Sequence, residues 1–120
     1  MRIFNETKNL ALSTDAKFAN SFFLRLVGLM LSSRKDLVLV SPREDVVSST
    51  IHMALMRYSI DVVWADSGKN VVDVAHDAPP LNLLKPATWR TYAPKKPAKY
   101  VIELGKGKAG TTEIGDKIKF

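Results

Sequence analysis

Cysteine is absent from this 120-residue chain, histidine occurs only twice, and no apolar run is long enough to span a bilayer. Without thiols there is neither a disulfide framework nor a thiolate metal site, a composition that fits a reducing compartment, so a cytoplasmic location is expected. The longest greasy stretch, Phe22 to Leu31, is about half a transmembrane helix in length and is interrupted by Arg25. The opening residues, MRIFNETKNLA, place no apolar run behind a basic start, so neither a signal peptide nor a membrane anchor is expected. Repeats, heptads and a domain linker are also missing. One domain over residues 1–120 is therefore expected, a size that buries about two thirds of the unfolded surface without staples.

What the chain does have is basic charge and short apolar segments. Its 18 Lys and Arg against 12 Asp and Glu give a net charge of +6. The excess lies wholly in Lys85 to Phe120, since the preceding residues balance at nine of each sign. The apolar segments are separated by turn signals, the pattern of a mostly β protein. Arg2–Glu6 and Asn9–Ser13 read as a strand pair around Thr7-Lys8. Ser21 reads as the N-cap of one short helix, Phe22–Leu31, in which Phe22, Leu26, Leu29 and Met30 recur at helical spacing. Asp36–Val40 reads as a strand and Ser41–Asp45 as the turn after it. Asp66–Lys69 is a clear turn between strands Ile60–Asp66 and Asn70–His76, and a two-residue Ser67-Gly68 loop would place Val72 and Val74 beside Asp61. Five prolines between Ala78 and Pro97 indicate a long irregular excursion. Lys99–Leu104 and Lys117–Phe120 read as closing strands.

The segment from Ser48 to Asp66 places His52, Arg57 and Asp61 among apolar residues. Read as an antiparallel hairpin with Met56–Ser59 as its loop, it sets Leu55 opposite Ile60 and His52 opposite Val63. Ile51, Met53, Leu55, Ile60, Val62 and Trp64 then share one face, while His52, Ala54, Asp61 and Val63 share the other. On that pairing His52 and Asp61 are diagonal neighbours roughly 7 to 8 Å apart at the backbone. Shifting the loop by one residue reverses the parity.

The motifs VGLM at Val27–Met30, IHMALMRYSIDVVWAD at Ile51–Asp66, KPATWRTYAPKKPAKYVIEL at Lys85–Leu104 and IGDKIKF at Ile114–Phe120 occur in one order along nearly the whole chain. In them the chain resembles the small prokaryotic family known as domain of unknown function 192. The resemblance implies a compact, barrel-like, antiparallel β fold with a short helix, and no settled activity. Met53, Asp61 and Gly115-Asp116 match the family pattern. Val27 stands where the family usually has arginine, which leaves Arg25 as the nearest basic group. Many members of that family carry an export signal, which this chain does not show.

The function expected from these features is a small soluble binding module for an unknown small molecule, with its pocket at the central hairpin. His52, Arg57 and Asp61 would supply polar contacts, Arg25 would lie nearby, and the proline-rich loop with Trp89 would form a wall. One alternative is a hydrolase-like or metal-dependent enzyme in which Asp61 orients His52 as a base. The plainer reading of that pair is a satisfied polar contact, since no nucleophile stands at a recognisable spacing. Arg57 either pairs with Asp61 or receives a carboxylate or phosphate. A metal site from His52, His76, Asp61 and Asp77 lacks a diagnostic ligand spacing, so neither metal nor cofactor is expected. The second alternative is nucleic-acid binding through the basic C-terminal third, where Lys85, Arg90, Lys95 and Lys96 flank Trp89 and Tyr92. Gly105, Gly107 and Gly110 lack the Walker spacing and read as turn residues.

Overall fold

In the computed structural model the described residues are 1–19, 36–45, 51–52, 59–78, 91–92 and 94–120. They form ten strands: β1 (Ile3–Asn5), β2 (Leu10–Ser13), β3 (Lys17–Ala19), β4 (Leu37–Asp45), β5 (Ile51–His52), β6 (Ile60–Ala65), β7 (Val71–Ala78), β8 (Thr91–Tyr92), β9 (Ala98–Gly105) and β10 (Ile118–Lys119). The expectation of a mostly β protein is met. No helix occurs among the described residues, and the helix expected at Phe22–Leu31 lies outside them. The strands make a three-stranded sheet in the order β10-β1-β2, a five-stranded sheet in the order β3-β4-β9-β6-β7, and the two-stranded pair β5-β8. Barrel closure is thus corrected: among the described residues β3 and β7 are the two separate edges of an open sheet. The pairing is not uniformly antiparallel either, because β3 runs parallel to β4 with Lys17 opposite Leu37.

Alternation along the strands sorts the core into two clusters. Leu37, Leu39, Ile60, Val62, Trp64 and Val101 belong to one, while Val38, Val63, Ile102 and Leu104 belong to the other with Ile3, Leu12 and Ile118. The period of two in side-chain direction produces this split, and the three-stranded sheet supplies the packing on the second face. Every residue of β6 is buried. It lies between β9 and β7 with both faces covered, which is why IDVVWA reads as a nearly unbroken apolar run. Trp64, 1 % exposed, is the largest wholly buried side chain among the described residues, and truncating it to Ala would cost about 3 to 5 kcal/mol.

Two local readings change. The turn expected at Ser41–Asp45 is the continuation of β4, whose pairing with β9 is interrupted between Val40 and Asp45. Pro42 falls in that interruption, where its missing N–H breaks no ladder bond. The Asp66–Lys69 turn is present, but its loop has three residues rather than two. Asp66 N–H donates to Asn70 O at 2.9 Å, and Lys69 adopts a φ of 65°. Together with the irregularity between Trp64 and Ala65, the longer loop slides β7 by two residues, so Val63 lies opposite Val74 and Val62 opposite Ala75. Each one-residue slip alone would reverse the faces, and the two together restore them.

Candidate functional site

The strand pairing removes the expected central hairpin. Both edges of β6 are occupied: Val63 lies opposite Val74 on one side and Ile102 on the other, and His52 opposes neither strand residue. β5 instead pairs with β8, with His52 opposite Thr91 and Ile51 opposite Tyr92. Of the expected hairpin's first arm only Ile51 and His52 are described. Arg25, Arg57, Trp89, Lys85 and Arg90 lie outside the described residues.

Asp61 is on β6 and only 1 % exposed. Its Oδ1 accepts the Asp77 N–H at 2.9 Å and its Oδ2 accepts the Ala109 N–H at 3.0 Å. The two-residue slide of β7 brings His76 beside it, with Nδ1 3.9 Å from Oδ2 and the imidazole half-exposed. Asp61 therefore fastens the end of β7, where Asp77 holds a φ of 51°, to the segment after β9. The expected imidazole–carboxylate neighbours thus arise from the second histidine of the chain, through a register that sequence spacing does not encode.

Two more buried aspartates do similar work on the same segment. Asp36 accepts from Ser13 Oγ at 2.5 Å, Gly105 N–H at 2.9 Å and Lys108 Nζ at 2.6 Å. Asp116 accepts from Asn5 Nδ2 at 2.9 Å, Glu113 N–H at 3.0 Å and Lys8 Nζ at 3.2 Å. Burial works to raise the Asp116 pKa, but the bonds from Asn5, the Glu113 N–H and Lys8 outweigh it and hold the carboxyl below the usual aspartate value. Lys8 is raised in turn, chiefly by its hydrogen bond to Glu113. Within the same segment Gly110 sits at a φ of 56°, and a Cβ there would come within 2.9 Å of Leu10 Cδ2. Carboxylates supplied with this many donors are already satisfied, and the segment from Gly105 to Asp116 is a structural clasp.

The opposite character is found outside the three-stranded sheet. Phe4 of β1 lies opposite Lys119 of β10, and with Arg2 and Phe120 they line an open groove of about 440 Å³. The Arg2 guanidinium lies 5.2 Å from the Phe4 ring centroid and the Lys69 ammonium 4.2 Å from that of Phe120. Tyr100 meets Phe120 edge-on at 5.0 Å, and the half-exposed Phe18 adds a tilted contact at 6.3 Å. Tyr100 and Phe120 both pack at the margin of the core. Sequence reading missed the groove because Arg2, Phe4 and Phe120 stand at opposite ends of the chain. The basic closing segment was its only visible part.

Glu103 of β9 was also given no role by the sequence. It is 2 % exposed and stands between Leu37 and Val62 in the cross-strand register. Lys95 and Lys96, from the expected nucleic-acid set, are exposed, and the Lys95 N–H donates to Asp73 Oδ2 at 3.0 Å. Among the described residues no group of three or more potential ligands could hold a metal ion. No helix among them is long and apolar enough to cross a membrane.

Comparison with known proteins agrees with the family resemblance. The model of the family described as Uncharacterized ACR, DUF192, matches residues 3–120. A UPF0127 protein of Pyrococcus furiosus is 38 % identical over 119 residues, covering 97 % of this chain and 95 % of its own length. Its counterpart in Pyrococcus horikoshii is 41 % identical over 121 residues, covering 98 % and 97 %. Among solved structures, a protein of unknown function from Novosphingobium aromaticivorans superposes with a TM-score of 0.78 at 16 % identity, over 99 % of this chain and 82 % of that one. A protein from Sinorhizobium meliloti described as a candidate transcription regulator gives 0.75, also at 16 % identity, over 98 % and 89 %. At that identity the two structures show the fold alone.

Proposed function

This chain belongs to the DUF192 family, whose matched relatives are themselves uncharacterised, and from that premise we propose that it is a small cytoplasmic binding module for an anionic small molecule. The supporting observation is the β5-β8 ladder. By setting His52 opposite Thr91 it joins two stretches far apart in sequence, one carrying His52 and Arg57, the other Trp89. An imidazole and a guanidinium are donors suited to a carboxylate or phosphate, and an indole supplies an apolar wall. Arg25 is assigned as a further donor. Asp61 is given no contact with ligand, because its oxygens already hold the Asp77 and Ala109 N–H groups. The absence of cysteine supports the reducing location.

Native mass spectrometry of the purified chain, followed by thermal unfolding with inorganic phosphate or succinate, tests this reading. A bound anion at one hundred times its Kd should stabilise the fold by about 2.7 kcal/mol. That gain should be absent from His52→Ala and Arg57→Met. An unchanged midpoint with both anions and no retained ligand, or a gain that survives both substitutions, would overturn it.

A further inference from the structure

We propose that the groove formed by Arg2, Phe4, Lys119 and Phe120 is a landing site for single-stranded nucleic acid. This site uses none of the residues of the proposed anion site. Three observations point to it.

The first is planarity. Phe4 and Phe120 line the groove together with the Arg2 guanidinium, which already lies over the Phe4 ring. Flat apolar and cationic surfaces at an open sheet face are what an unpaired base stacks against. Phe18, 49 % exposed and in contact with Phe120, carries the aromatic surface beyond the groove and gives a second base somewhere to rest. The second is charge. Arg2 and Lys119 form no ion pair with a carboxylate among the described residues, whereas Lys8, Lys106 and Lys108 all do, and the Lys69 ammonium is held by a 2.9 Å bond to Phe120 O. A set of cations without anionic partners beside aromatic rings is complementary to a polyanion that carries bases. The third is the local register. Pairing of Phe4 with Lys119 alternates ring and ammonium across adjacent strands, and the small side chain of Ala11 stands opposite Phe4 on the other side. An extended strand can follow that alternation, phosphates on the cations and a base on the ring.

The groove has the volume of a small-ligand site, so it holds about one nucleotide and the strand must continue over Phe18. This separates an oligonucleotide from a free nucleotide: the longer ligand should bind more tightly, because additional phosphates release additional counterions.

The test is fluorescence anisotropy of a labelled ten-residue oligothymidylate with the full chain at 50 mM salt, repeated at rising salt and with adenosine monophosphate as competitor. The expected result is binding whose salt slope falls by about 1.4 in Arg2→Glu/Lys119→Glu, two single-strand phosphate contacts at about 0.7 each. Affinity should drop at least tenfold in that variant and in Phe120→Ala, and stay within twofold in Lys95→Glu/Lys96→Glu, which carries the same change in charge. Circular dichroism confirms that each variant is folded, and the surface charge variants keep the test open if Phe120→Ala is not. Absent binding at low salt overturns the proposal. So does equal loss in the two charge-reversed variants, which would mean diffuse attraction, and so does monophosphate binding as tightly as the oligomer. Self-association that Lys119→Glu abolishes, with no oligonucleotide bound, would assign the groove to a second copy of the chain and overturn it as well.

Discussion

The segment from Gly105 to Asp116 and the groove reached by the last residues of the chain are neighbours in sequence, yet they handle charge in opposite ways. In the first, Asp36, Asp61 and Asp116 point inward and each receives at least two hydrogen bonds, several from backbone N–H groups. In the second, Arg2 and Lys119 face outward beside Phe4 and Phe120 and meet no carboxylate among the described residues. A buried polar group that has its full set of partners fixes geometry, whereas an exposed cation beside a ring remains available to a ligand. The difference separates residues that hold the fold from residues that a partner can use, although both sets are polar and both would stand out in a scan for function.

Breaking the clasp should have the largest effect. Asp61→Ala leaves the Asp77 and Ala109 N–H groups without their acceptor, and should lower stability by about 3 kcal/mol or more in denaturant unfolding. A loss below about 1 kcal/mol would show that water replaces the carboxylate and that the clasp is superficial.

Asp116 sharpens the comparison through pH. Its folded pKa lies below the unfolded value of about 3.9, so its contribution is complete above that value and is lost as pH falls through the folded pKa. The stability difference between the parent chain and Asp116→Asn should therefore be constant near neutrality and shrink below about pH 3.9. A difference that widens on acidification would reverse the assigned direction of the shift.

The smallest effect belongs to the groove. Arg2→Glu and Lys119→Glu should each change stability by no more than about 0.5 kcal/mol, since the side chains hold no buried partner. A loss comparable to that of Asp61→Ala would place these cations in the clasp's class and dissolve the contrast.

Much of the strand inventory was legible. β1, β2, β6, β7 and β9 fall within a few residues of their expected positions, because period-two alternation and turn residues are local signals. The partition of Ile60, Val62 and Trp64 from Asp61 and Val63 onto separate faces was legible for the same reason. The site was not. His52 and Asp61 were joined by assuming that consecutive strands pair, but β6 takes β7 and β9 as neighbours and leaves β5 to β8. Of the groove only the basic closing segment was legible, since its lining comes from both ends of the chain.

By itself the sequence determined a β-rich composition, a basic closing third, the parity of each strand and the chain's family, all of which follow from side-chain chemistry and from spacing along a few residues. Only the tertiary structure decided that β9, near the end of the chain, enters between β4 and β6, that Asp61 meets His76, and that Phe4 lies beside Lys119. The reason is physical. A strand's edge offers the same backbone donors and acceptors to every candidate partner, so the choice is made by how the apolar faces of distant segments pack together, and a one-residue slip in a loop or bulge then sets which polar groups meet.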